Sequence, residues 1–495
     1  MLPFIALLPI AGLAAAADIS PFEKADILTD CLTQSSVPWN TRGSNDWKLD
    51  AAPYNLRLNF TPVAIAVPTT VKHIQDAVAC ASKTGVKANA KCGGHSYGSF
   101  GLGGEDGHLT IELDRMNKVV LDNFTGIATV EGGSRLGHVA YELYNQGKRA
   151  FSHGTCPGVG VGGHALHGGY GVSSHTHGLA LDWLDSATLV LANSSVVTCS
   201  ATQNPDLFWA LRGAGGSLGV VTEFRFKTFA APEKVTFFIA QAPWKTEQQA
   251  REGMTALQDF VNDGEKMPRE LNMRLFITNR FVNFEGLYYG DKAGLQGVLG
   301  PLLKATNASL VLSQQGGWLD QVKHFGNGVN LDQGHPYSMH ETFYSSSLYT
   351  NALTPSQLSA FTSYWFTHAK SNKRDWYVQI DVHGGPTSSV TIPEVDSTAY
   401  AHRNYLFMFL FYDRVDRGVY PAEGFAAIQN FVGNVTDKIP VEEWGMYVNY
   451  PDPQMSREAA QRNYWGKHLE RLRSVKGEVD PGDLFSYPQG VVPAV

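Results

Sequence analysis

The chain has 495 residues, 43% hydrophobic and 17% charged, which excludes a disordered chain and allows two or three packed units. Its net charge of −7, with no basic stretch to offset it, excludes nucleic acid and anionic membrane surfaces as partners. Residues 1–17 are apolar and end in small residues before Asp18, the pattern of a secretory signal peptide, though no Lys or Arg precedes the apolar run. No later run reaches the roughly 18 apolar residues of a membrane span. Five Asn-x-Ser/Thr sequons, at Asn59, Asn123, Asn193, Asn307 and Asn434, agree with an extracellular, glycosylated protein.

From residue 55 the pattern alternates strand and helix. A strand is predicted at 64–67, then a helix at 70–81 capped by Thr70, then a strand at 86–90 that runs into a glycine-rich loop. Strands follow at 108–113 and 128–131, a helix at 136–146, a hairpin at 189–199, a short helix at 205–211 and a strand at 220–229. After Pro232 the character changes. Strands at 235–242, 273–278, 284–289, 377–383 and 405–412 mix with amphipathic helices at 248–261, 294–305 and 355–371, which reads as an antiparallel sheet backed by helices. Pro301 is expected to kink or split the second of these helices. The tail is helical from 456 to 474 and closes with a turn and an apolar anchor, Leu484-Phe485.

Five cysteines leave at least one outside any internal disulfide. Cys31 and Cys80, both ahead of the glycine-rich loops, are expected to pair, and Cys92 and Cys199 to be buried thiols. Cys156 is then left for chemistry. It lies in Gly154-Thr155-Cys156-Pro157-Gly158-Val159-Gly160-Val161-Gly162-Gly163-His164, and His95 lies in Lys91-Cys92-Gly93-Gly94-His95-Ser96-Tyr97-Gly98. Glycines this dense allow tight turns and close approach to a ligand. An imidazole and a thiol on such loops could each attack an electron-poor ring, and the exposed N–H groups around Cys156 could hold a pyrophosphate. The plainer alternatives are a loop-capping histidine and a buried thiol.

Other motifs carry less. His175-Thr176-His177, read as a strand, places both rings on one face, but no Cys-x-x-Cys or His-Glu-x-x-His accompanies it, so no metal site is expected. The run Arg212-Gly213-Ala214-Gly215-Gly216-Ser217-Leu218-Gly219 follows a helix and precedes a strand, the reverse of a dinucleotide fingerprint. Tyr447 and Tyr450 flank Asn449 near the tail; a phenol beside a carboxylate can act as a base once its proton is shared. Asp381 sits in a largely apolar strand, where it either faces solvent or needs a buried partner.

Four segments in order, 93–97, 154–164, 206–216 and 447–451, make the chain resemble the berberine-bridge-enzyme-like branch of the vanillyl-alcohol-oxidase flavoproteins, in particular the fungal oligosaccharide oxidases. The resemblance spans nearly the whole chain after residue 17. It implies an α+β fold: an FAD-binding domain of the vanillyl-alcohol-oxidase type in two parts, 18–232 and 445–495, with a substrate domain, 233–444, built on an antiparallel sheet. It implies FAD attached twice, through His95 to the 8α carbon and through Cys156 to ring carbon 6, which raises the flavin's potential. Gly93, Gly94, Ser96, Gly158, Gly160, Gly163 and His164 would hold the cofactor. Tyr450 would be the base and Asp381 its polarising partner, with Tyr97, Tyr170, Gln379 and Tyr447 lining the sugar site. The implied reaction oxidises the reducing-end C1 hydroxyl of cello-, xylo- or chito-oligosaccharides to a lactone, which hydrolyses to an aldonic acid, while dioxygen becomes hydrogen peroxide. A monomer is expected. The apolar strand 405–412 departs from the family, which places a polar sugar contact there. Bulk at that position would disfavour a hexose hydroxymethyl group and favour xylose units. Oxidation of other alcohols or alkaloid-like molecules on the same fold, and sugar binding without redox chemistry, are the competing readings.

Overall fold

The structure is a computed structural model that describes residues 21–332 and 339–494, so the apolar leader at 1–17 lies outside the described residues. The first helix, Pro21–Gln34, is tied to the helix Val71–Thr84 by the expected disulfide between Cys31 and Cys80. Thr70 caps the second helix by accepting the His73 N–H, and Gly85 ends it at φ +66°, a conformation that costs other residues strain. Its apolar stripe, Ile74, Ala77, Val78 and Ala81, packs on the parallel strands Ala64–Ala66, Leu109–Glu112 and Ala88–Lys91. The last strand begins two residues later than its composition suggests, and its end delivers the chain into the His95 loop.

A second sheet of five antiparallel strands runs in the order Val119–Asp122, Ile127–Glu131, Val220–Lys227, Leu184–Val190, Val196–Ser200. The tail returns to this half of the molecule. Tyr464, Trp465, Leu472 and Val475 share one core with Leu207, Phe208, Trp209 and Leu211. Fully buried Lys476 anchors the end of the tail: its Nζ donates to the Ser217 carbonyl at 2.7 Å and to Asp480 at 2.5 Å. Asp480 in turn accepts the N–H groups of Leu484 and Phe485. Every strong donor and acceptor of this buried charge pair is thus used, as its burial requires. The single helix expected at 456–474 is two, Arg457–Trp465 and Leu469–Val479, because Gly466 at φ +48° turns the chain between them.

The middle of the chain forms a seven-stranded antiparallel sheet in the order Ser309–Gly316, Val235–Gln241, Val282–Tyr288, Leu271–Thr278, Asp375–Val382, Phe407–Val415, Thr342–Thr350. Alternation decides which side chains go where. Leu275, Ile277, Val378, Ile380, Phe409 and Phe411 enter one core with the helices Glu247–Asn262 and Pro355–Tyr364. Their neighbours Arg274, Phe276, Tyr377, Gln379, Asp381, Leu410 and Tyr412 line a cavity on the opposite face. The core face of these strands is apolar, while the cavity face mixes aromatic side chains with polar and charged ones. The helix Lys292–Thr306 continues through Pro301 instead of splitting. The proline removes the bond to the Gly297 carbonyl, and Gly297 is exposed, so water can serve that carbonyl.

Candidate active site

The cavity has a volume of about 1030 Å³ and is walled by the two glycine loops, the 447–451 segment and the sheet face. His95 and Cys156, 61 residues apart in sequence, meet in its wall, with Sγ 3.4 Å from Nε2. The His95 ring stacks on Tyr54 at 3.7 Å between centroids. Burial, aided by the nearby Arg135 charge, lowers its pKa to about 3, so the imidazole is a neutral, nucleophilic base at any physiological pH.

The glycines of these loops divide into two groups. A Cβ on Gly93 would lie 2.3 Å from the Gly160 nitrogen, and one on Gly160 would strike Gly93 and Cys92. These two glycines let the loops close on each other, and both also line the cavity. Gly94 provides a turn at φ +66°. Gly163 lines the cavity with open space beside its Cα, so a side chain there would occupy ligand volume. Gly158, expected at the cofactor, is not in the cavity wall; its carbonyl accepts from Arg135 Nη1 at 2.8 Å. Ser96 lines the wall, and its Oγ accepts the Phe100 N–H. His164 Nε2 accepts the Gly154 N–H at 2.8 Å, steadying the Cys156 loop with a ring that burial holds neutral.

Across the cavity, the strand Thr342–Thr350 pins the tyrosine segment. Ser347 Oγ donates to the Tyr450 carbonyl at 2.8 Å and accepts the Tyr447 N–H, while the Tyr344 hydroxyl donates to Asp452 at 2.6 Å. Tyr450 stacks with Tyr97 at 5.7 Å and meets Tyr447 edge-on at 5.0 Å. Burial, and then the Asp381 carboxylate, push the Tyr450 pKa well above the usual phenol range. Asp381 does not face solvent. It is 4% exposed, and burial raises its pKa to about 6 despite the opposing pull of Arg274. Gln379 links these groups: its amide donates to Asp381 at 2.7 Å, and its carbonyl accepts from Arg274, which also binds Glu285 at 2.9 Å. Both ends of Gln379 are thus engaged by protein. Tyr447 is similar, its hydroxyl accepting from Gly169 N, Tyr170 N and Asn449 Nδ2. The Tyr170 hydroxyl donates to the Val382 carbonyl at 3.1 Å. Sequence reasoning missed Tyr54, Arg135 and Arg274. Only Arg274 left a trace, as a cation inside the apolar run Met273-Arg274-Leu275-Phe276.

The histidines at 175 and 177 lie on a helical turn, Ser174–His177, and not on a strand. His175 pairs with the Arg269 carbonyl and His177 stacks on Phe229 at 4.0 Å. Among the described residues, no group of three His, Cys, Asp or Glu is placed to hold a metal. Burial lowers the pKa of His164 and His383 to about 3 and of His153, His167, His175, His177 and His402 to about 4. The unfolded chain binds protons at these sites below about pH 6.5, so stability is lost as pH falls from there toward 4. Glu112, raised to about 7, and Asp381 act in the opposite sense but are outnumbered. Calorimetry is expected to show the melting temperature falling by at least about 5 °C from pH 6.5 to 4.5; an unchanged or rising value would count against this assignment of charge.

Two adjacent nucleophiles, a neutral imidazole, an open glycine wall and this volume suit a large flat ring attachable at two carbons of one edge, with room for a second ligand. The comparisons agree. Residues 62–200 match an FAD binding domain and residues 446–492 a berberine and berberine-like domain. The chain is 50% identical over 495 residues to a xylooligosaccharide oxidase of Thermothelomyces thermophilus, covering 99% of each. It superposes with a TM-score of 0.93 on the xylooligosaccharide oxidase from Myceliophthora thermophila C1 in complex with xylobiose, at 50% identity, over 95% of this chain and 100% of that one. It also superposes with a TM-score of 0.92 on the glucooligosaccharide oxidase from Acremonium strictum, which carries a 6-S-cysteinyl, 8α-N1-histidyl FAD, at 42% identity and with 95% and 100% coverage. The chain therefore belongs to the oligosaccharide oxidases of the berberine-bridge-enzyme-like, vanillyl-alcohol-oxidase-type flavoproteins.

Proposed function

We propose that this protein is a secreted oxidase that converts the reducing-end C1 hydroxyl of oligosaccharides to a lactone, with FAD held covalently by His95 and Cys156. The observation that carries this reading is that His95 and Cys156 meet at 3.4 Å in the wall of a single cavity that Tyr450 and Asp381 also line. FAD held by His95 and Cys156 would supply the acceptor for the C1 hydride and the carrier of its electrons to dioxygen. Tyr450 takes the O1 proton. Its own proton is drawn toward the Asp381 carboxylate, which is ionised above about pH 6. Gln379 and Arg274 hold that carboxylate in place. Secretion is supported by exposure of all five sequon asparagines.

Among sugars, xylose units are favoured. Leu410 and Tyr412 stand on the cavity wall, and their bulk would disfavour a hydroxymethyl group there. A peroxide assay across xylobiose, cellobiose and chitobiose tests both statements. Turnover is expected with reducing oligosaccharides, with kcat/KM for xylobiose about tenfold or more above that for cellobiose, the discrimination that exclusion of one small substituent provides. A cellobiose preference would overturn the sugar assignment, and absence of peroxide with every sugar would overturn the function.

A further inference from the structure

Arg135 does not line the large cavity. It is 3% exposed and sits in a small pocket behind the His95 loop, beside Lys91 and Glu112. From there a single nitrogen, Nη1, donates at 2.8 Å to two carbonyls, those of Gly93 and Gly158. Gly93 is two residues before His95, and Gly158 is two residues after Cys156. One guanidinium thus joins the two loops at points symmetric about the two nucleophiles.

The loops are not held equally without it. The Cys156 loop is bonded to the segment carrying Arg135 through Leu136 N to the Val159 carbonyl, Gly137 N to the Pro157 carbonyl and Val161 N to the Ser134 carbonyl. Those bonds are main-chain and survive any substitution at 135. The His95 loop meets this segment through Arg135 Nη1 and through the longer Cys92 Sγ contact to the Ser134 carbonyl. The His95 loop is also held from its far side, by Tyr54 N to the Gly94 carbonyl, Asn55 Nδ2 to the Tyr97 carbonyl and the Tyr54–His95 stack, so removing the guanidinium should leave Cys156 in place and shift the His95 loop relative to it.

We propose that Arg135 is a positioning residue that brings His95 into line with Cys156, so that both attachments form in the same molecule. The inference rests on the double attachment proposed above. Each attachment forms one bond, N–C at the 8α carbon or S–C at ring carbon 6. Each expels one proton from that carbon and one from the nucleophile and leaves two electrons, which with the two protons convert one dioxygen to hydrogen peroxide. Nothing in that balance involves Arg135 as a reactant; its charge adds to the lowering of the His95 pKa, but burial is the larger cause and keeps the ring neutral without it, so its effect on attachment comes through geometry. An error near 1 Å in a reacting pair can cost about a hundredfold in rate.

The test is purification of wild type, R135M and R135K, followed by peptide mass mapping and flavin absorption after acid precipitation. In R135M the fraction of chains with flavin on the His95 peptide is expected to fall about tenfold, with the Cys156 linkage retained. R135K, whose shorter side chain can still donate near one carbonyl, should restore part of the loss. Incubation at higher pH should not rescue R135M, because burial keeps His95 unprotonated in either case. Wild type lacking either linkage would remove the double-attachment reading itself. Wild type doubly attached with R135M and R135K equally so would overturn only the role of Arg135. Equal loss of both linkages, or failure of both variants to fold, would also overturn it, assigning Arg135 to the fold alone.

Discussion

Replacing Tyr450 with phenylalanine is expected to lower kcat for xylobiose by about three orders of magnitude, with the flavin still attached and KM changed by less than about threefold. The ring of Tyr450 packs between Tyr97 and Tyr447, and the main chain at 450 is held by Ser347, so loss of the hydroxyl alone leaves the wall standing. What is lost is the group proposed to accept the O1 proton. Asp381→Asn should cost less, about a hundredfold, because the phenol remains. It should also remove a pH dependence. In the wild type, the carboxylate is needed ionised, so kcat is expected to rise through about pH 6 and level above it. In the Asn variant that limb disappears. Anaerobic stopped-flow measurement of flavin reduction checks both, since it isolates the step in which the proton moves. A Tyr450→Phe variant reduced at the wild-type rate would remove Tyr450 from the chemistry.

The double variant H95A/C156A carries the other large effect. Denatured wild type is expected to keep its flavin, each single variant to keep it through the remaining bond, and the double variant to release it. Each single loss should also lower the reduction potential, because the resemblance to doubly attached flavoproteins implies that both bonds raise it. For a two-electron couple about 30 mV corresponds to about 1.4 kcal/mol, so a drop of that size slows hydride uptake about tenfold where the full difference is felt in the barrier. Spectroelectrochemical titration of the single variants measures it. An unchanged potential would confine the two residues to retention of the cofactor.

Much of this site was legible in the sequence because its chemistry is carried by local patterns. His95 and Cys156 stand out among glycines, and Asp381 stands out as a charge in an apolar strand. Two of the glycines have a packing role that their local sequence does not reveal. Gly93 and Gly160 serve the contact between two loops that are distant in sequence, and no local pattern records that partnership. Gly158 and Arg135 were unreadable for the same reason, since the guanidinium is 42 residues from one carbonyl it binds and 23 from the other. Alternation placed the sheet strands well, because a buried face imposes period two. It failed at His175 and His177, where four residues of helix carry too few positions for any period to register. The two tail helices were read as one because Gly466 separates them through a backbone conformation that composition does not reveal.

The reaction at C1 is tested most directly by comparing peroxide release from xylobiose with that from its methyl glycoside, in which O1 bears a methyl group and has no proton for Tyr450 to take. One peroxide per xylobiose consumed, with the aldonic acid as sole carbohydrate product and no peroxide from the glycoside, is the result this account predicts. Peroxide from the glycoside at a comparable rate would contradict it, placing the oxidised carbon elsewhere on the sugar.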